Sequence, residues 1–187
     1  ETNCLELTDT AMQDLTGVLK YFVKAGPIRC GRMAVKFAPV AYQTIEDSLA
    51  EEPEEATSPC AGCAANVARR LGASEQHVVM AAGLAGGIGL SGGGCGALAA
   101  AIWITGMNHP EEKTGLSADG TTIGEVIDSF VKATDHEFEC AEISGRRFED
   151  AADHARYVEA GGCYRILDAL IQAAGGDSAR DNEGIAA

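Results

Sequence analysis

The sequence predicts an all-α protein, a single-domain helical bundle with a glycine-rich loop between two buried helices. Three observations carry that prediction. Apolar residues recur three and four apart through most of the chain, and no segment of strand length alternates apolar with polar residues. The apolar content of 46% is supplied by alanine and glycine rather than by aromatics, which make up only 5%, and small side chains let helices approach closely. A chain of 187 residues buries roughly two-thirds of its unfolded surface as one domain and needs no staple.

From Asp9 the apolar residues Met12, Leu15, Leu19, Phe22 and Val23 fall on one face of a first helix, which Gly26-Pro27 stops. A second helix is expected from Pro39, placed in a first turn, through Ile45 and Leu49. The acidic run Glu51-Glu52-Pro53-Glu54-Glu55 reads as a solvated connection. Ser58 caps a third helix with Pro59 in its first turn, running through Cys60, Cys63, Val67 and Leu71 to Gly72. Ser74 caps a fourth, carrying Val78 and Val79.

From Val78 to Asn108 there is no charged residue, a length that would span a bilayer. Gly86, Gly87, Gly89, Gly92, Gly93 and Gly94 break its middle, however, and its apolar residues are mainly alanine. A buried helix, loop and helix is expected instead of a membrane span, with Cys95 to Met107 as the second arm. Thr122-Ile123-Gly124-Glu125 reads as a capping box, followed by Ile123, Val126, Ile127, Phe130 and Val131 on one face. Cys140 opens a short helix ending near Gly145, and a segment from Phe148 to Glu159 follows. After Gly161-Gly162 a last helix carries Cys163, Ile166, Leu167, Leu170 and Ile171, and the tail from Gly175 is polar and loose.

The seven cysteines are too sparse for a disulfide scaffold, and their odd number excludes complete pairing. Metal ligation or redox chemistry is the better reading. Cys63, Cys95, Cys140 and Cys163 each fall at a predicted helix start, and for Cys60 and Cys63 the free amides and helix dipole there favour thiolate. Cys60 and Cys63 form Cys-Ala-Gly-Cys, a spacing shared by metal ligands, thiol-disulfide couples and packed small residues. Covalent haem is out because Ala64, not His, follows Cys63.

The glycine run ending at Cys95 lets backbone wrap a buried object and point amides at negative charge. No Gly-Lys-Ser/Thr follows and the stretch holds no basic residue, which disfavours phosphate. A sulfide-bearing cluster fits better, with Gly92, Gly93, Gly94 and Gly96 as its backbone contacts. The net charge of −14 argues against nucleic acid and anionic membranes as partners.

Cys63-Ala64, Gly86-Gly87-Ile88-Gly89, Cys95-Gly96-Ala97 with Gly106, Cys140 with Gly145, and Cys163 with Leu167 resemble, in order and spacing, the C_GCAxxG_C_C family of redox-active proteins. The resemblance runs from Cys60 to Ala174. It implies a small helical domain with four characteristic cysteines, here Cys63, Cys95, Cys140 and Cys163; relatives fused to haem modules occur in split-Soret cytochromes, where the cysteines hold an iron-sulfur centre. Ala100 stands where the pattern has glycine, and Cys4, Cys30 and Cys60 lie outside the four.

Four cysteines match the ligand count of a [2Fe-2S] cluster, a [4Fe-4S] cluster or structural zinc. Zinc is disfavoured because its ligands usually come as close pairs of Cys-x-x-Cys, and the resemblance favours [2Fe-2S]. His136, one turn before Cys140, is a candidate to replace a thiolate, whereas His77, His109 and His154 read as exposed or capping residues. Asp135, Glu137 and Glu139 read as a solvated face, and Arg69, Arg70, Arg146 and Arg147 as surface ion pairs that could offset cluster charge.

The expected organisation is an N-terminal helical extension over 1–55, a four-cysteine redox domain over 56–174 and a flexible tail over 175–187. The expected function is iron-sulfur cluster binding for carrying or storing electrons, non-catalytic or only assisting, with a redox partner protein and a homodimer formed through the small-residue helices. The alternatives are a metal-free thiol-disulfide oxidoreductase or redox sensor using Cys60 and Cys63, and a zinc-stabilised module docking a basic partner. Starting at Glu1 without an initiator Met, and resembling exported relatives, the chain is expected in the periplasm rather than the cytoplasm.

Overall fold

A computed structural model describes residues 8–10, 15–50, 61–112 and 120–176. The chain divides into two compact units, Glu1–Thr57 and Ser58–Ala187. The described residues form helices and no strand; the fold is all-α. None of the described helices is long and apolar enough to cross a membrane.

In the first unit, α1 (Leu15–Val23) and α2 (Gly26–Ala50) form a hairpin. The turn lies at Lys24-Ala25, with Ala25 left-handed at φ 57°. Gly26-Pro27 begins α2 rather than stopping α1, because proline's missing N–H and fixed φ suit a first turn. The expected start at Pro39 is thus corrected: Pro39 lies inside α2. Residues 28–38 contain nothing else that breaks a helix except Gly31, and Val35, whose carbonyl Pro39 leaves without its usual donor, is exposed. The hairpin closes where the Tyr21 ring lies within 2.1 Å of where a Gly26 Cβ would be, and the Tyr21 hydroxyl donates to the Cys30 sulfur at 3.3 Å. Met12 lies outside the described residues. The apolar face of α1 is exposed, Leu15 at 82% and Val23 at 79%.

The second unit contains α3 (Cys63–Arg70), α4 (Glu75–Ala82), α5 (Gly96–Asn108), α6 (Thr122–Thr134), α7 (Cys140–Ser144), α8 (Ala151–Glu159) and α9 (Tyr164–Ala173). Helix α9 packs mainly on α6, and α3 on α5 and α4. Phe130, Ile104, Leu170, Ile171, Val67, Val78 and Val126 are fully buried. Ala64, Ala65 and Ala68 of α3 and Ala97, Ala100 and Ala101 of α5 are buried too, so the small-residue faces meet one another inside the unit.

Capping follows the sequence closely. Ser74 accepts from the His77 N–H as expected, and Asp150, a cap not expected from the sequence, accepts from the Asp153 N–H. Helix α6 differs by one residue: Thr121, not Thr122, accepts from the Gly124 N–H, while Thr122 donates its N–H and hydroxyl to Glu112 at 2.8 and 2.7 Å. Gly72 and Gly145 end α3 and α7 with left-handed φ. The expected cap and first turn of α3, Ser58 to Cys60, lie outside the described residues.

Candidate metal centre

The four cysteines of the family pattern each stand at a helix start. Cys63 is the first residue of α3 and Cys140 of α7; Cys95 and Cys163 are the residues immediately before α5 and α9. Cys63 and Cys140 are buried, Cys95 and Cys163 half-buried, and all four are free thiols.

Backbone hydrogen bonds bring Cys95 and Cys140 side by side. An isolated antiparallel bridge joins Gly94 to Glu139. Around it Cys95 N–H donates to Phe138 O at 2.8 Å, Cys140 N–H to Gly93 O at 2.7 Å and Ala141 N–H to Gly92 O at 2.9 Å. The glycine run can reach this bridge because it folds on itself: a Cβ on Gly87 would lie 2.6 Å from Gly93 N. A Cβ on Gly96 would lie 1.6 Å from Leu84 O, so only glycine can follow Cys95 here. Before α9, Cys163 is left-handed at φ 60°. The Tyr157 ring occupies the space of a Gly162 Cβ, with its hydroxyl 4.0 Å from the Cys163 sulfur.

The electrostatics tie the thiols together. Burial first, then the charges of Cys95, Cys140 and Cys163, push the Cys63 thiol up to about 12. Burial, Cys95 and Cys163 raise Cys140 to about 11. Burial also raises Cys95 and Cys163, and Cys163 adds to the shift at Cys95. Every pair among the four is therefore within electrostatic reach. The lowering expected at Cys63 is overturned, because removing a thiolate from water outweighs the dipole. Among the described residues no three His, Cys, Asp or Glu side chains are grouped closely enough to hold a metal ion. The thiols share one neighbourhood without forming a ligand group that holds a metal ion as they stand.

Each sulfur also has a polar group beside it. The amide of Gly86 opposes the rise at Cys63, those of Leu98 and Ala97 at Cys95, Ser144 at Cys140 and Tyr157 at Cys163. Of the expected glycine contacts, Gly92 and Gly93 spend their N–H groups on Gly86 O and Ser91 Oγ and their carbonyls on the bridge. Gly94 holds the bridge itself, and Gly96 gives room to Leu84. The amide that reaches a cysteine is that of Gly86, which only its place in the family pattern marks in the sequence.

His136 is exposed and closes the end of α6 through its own N–H, donated to Val131 O. His154, expected at the surface, is buried edge-on against Phe148, with Nδ1 3.7 Å from where a Gly62 Cβ would be. Burial lowers its pKa. No sequence signal separates it from the other histidines. Arg146 pairs with Asp153, and Arg147 packs over Gly92. Cys30 accepts from Tyr21 in the other unit, and Cys60 and Cys4 lie outside the described residues.

An all-α unit with four clustered cysteines defines a class of redox-active domain. Residues 58–175 match the family described as "Putative redox-active protein (C_GCAxxG_C_C)", and the chain belongs to that family. No curated protein and no solved structure matches the chain.

Proposed function

We propose that the second unit binds an iron-sulfur cluster through Cys63, Cys95, Cys140 and Cys163 and carries or stores electrons. The observation that carries this reading is the mutual electrostatic coupling of four free, largely buried thiols drawn from four helix starts. Such a set is poorly stable as thiolates by itself, and a cationic core would neutralise it. Zinc ligands usually come as close Cys-x-x-Cys pairs, whereas these four are spread over about a hundred residues, which favours iron-sulfur over zinc. The resemblance favours [2Fe-2S], and a four-cysteine set fits [4Fe-4S] equally in ligand count.

When bound, a cluster supplies one-electron redox chemistry. The protein's own part is to exclude water and supply donors. Gly86, Ala97 and Leu98 direct amides at the Cys63 and Cys95 sulfurs, and such donors tune a potential. Electron exchange with a partner protein is part of the proposal; no catalytic residue is assigned.

The metal-free alternative needs a thiolate of low pKa, and Cys63 has the opposite. Anaerobically purified protein is expected to be brown, with stoichiometric iron and acid-labile sulfide, and a C60S variant to keep both. Colourless protein whose four thiols all titrate freely would end the reading, and zinc without iron would replace it.

A further inference from the structure

We infer that α2 is a self-association surface on which a second copy of this chain docks antiparallel, independently of any metal. The helix is about 37 Å long for its 25 residues, and every residue from 31 to 48 is exposed. Helix α1 covers only its beginning, around Gly26 and Cys30.

Along α2 the residues Ile28, Gly31, Val35, Ala38, Tyr42 and Ile45 repeat at alternating spacings of three and four, the heptad pattern of a coiled-coil seam. The four large ones are 59 to 74% exposed. Small residues alternate with large ones, so an antiparallel partner sets Tyr42 of one copy over Ala38 of the other, and Val35 over Ile45. A parallel partner in register would instead stack Gly31 and Ala38 on themselves and leave gaps. A shallow groove of about 380 Å³, lined by Ile28, Gly31, Arg32, Val35 and Lys36, lies on this face.

Charge selects the same occupant. Residues 15–45 hold Lys20, Lys24, Arg29, Arg32 and Lys36 and no acid, whereas 46–55 hold Glu46, Asp47, Glu51, Glu52, Glu54 and Glu55 and no base. A two-fold axis crossing α2 at Val40, the centre of both seam pairs, brings Arg32 of one copy beside Glu46 of the other, both flanking the seam. The interface is self-complementary, as two-fold symmetry requires. An anionic bilayer would attract the basic half and repel the acidic end.

Sedimentation velocity on the full chain over a concentration series tests this. A dimer is expected. V35E/I45E is expected to run as a monomer with unchanged far-UV helicity, since both positions face away from the rest of the first unit. R32E, which opposes like charges twice, is expected to weaken association at least about tenfold, and R32E/E46R to recover most of the loss. The charge pair keeps the test decisive should V35E/I45E lose helicity. A monomeric wild type, a dimer undiminished in V35E/I45E, or no recovery in R32E/E46R would overturn the proposal. So would a monomer that co-sediments with phosphatidylglycerol vesicles, which would assign the face to lipid.

Discussion

Cys63 shows how one residue's surroundings reverse what its position suggests. A cysteine in a helix first turn reads as a ready thiolate, yet burial against α5 and three neighbouring thiols raises it to about 12. A raised thiol pKa favours the neutral form in the fold. Without metal this contribution to stability is complete below the unfolded value near 9 and is lost as pH rises through about 11 and 12, where Cys140 and Cys63 ionise. Thermal melts of iron-free protein are therefore expected to fall progressively above pH 9. Cluster binding requires the deprotonated ligands, so in the cluster-bound protein this alkaline loss is expected to shrink; equal falls in both forms would show that the thiols are not ligands. The sequence identified these four cysteines by position and family pattern. It could not show Gly86 as the amide facing Cys63, nor the burial of His154, because both depend on contacts between residues far apart in the chain.

At the scale of elements, the stretch between α4 and α5 is decided by backbone space. Gly96 abuts Leu84 O, whereas a Cβ at Gly94 would meet nothing within 4 Å. G96A is expected to lose about 1–3 kcal/mol from forced backbone movement and to displace Cys95, lowering iron content. G94A is expected to change either by little. Equal effects in denaturant unfolding and iron content would contradict this geometry. Helix positions in the second unit were largely legible, because a cap such as Ser74 and stops such as Gly72 and Gly145 act locally. The one-residue shift at α6 arises from Glu112, a partner in the preceding loop that no local pattern names. In the first unit two prolines misled: Pro27 starts α2 and Pro39 is tolerated within it, since an exposed helix can leave a carbonyl to water.

For the whole molecule, the division at Thr57 and Ser58 coincides with the start of the family match. All four candidate ligands and the buried core lie in the second unit. A chain starting at Ser58 is therefore expected to unfold in one cooperative transition and to retain the iron of the full chain; loss of iron would place part of the site in the first unit. The whole-chain charge of −14 conceals the basic hairpin, because a sum over the chain averages away a local change of sign. The exposed α1 face is a related case: amphipathic spacing shows that a face is apolar and leaves open what covers it.

The most direct test of the central claim is iron content and visible absorbance across C63S, C95S, C140S and C163S, prepared anaerobically beside the wild type. The account predicts iron and colour in the wild type and their loss or strong reduction in each variant, with native helicity retained. Wild-type iron persisting unchanged in all four would contradict it.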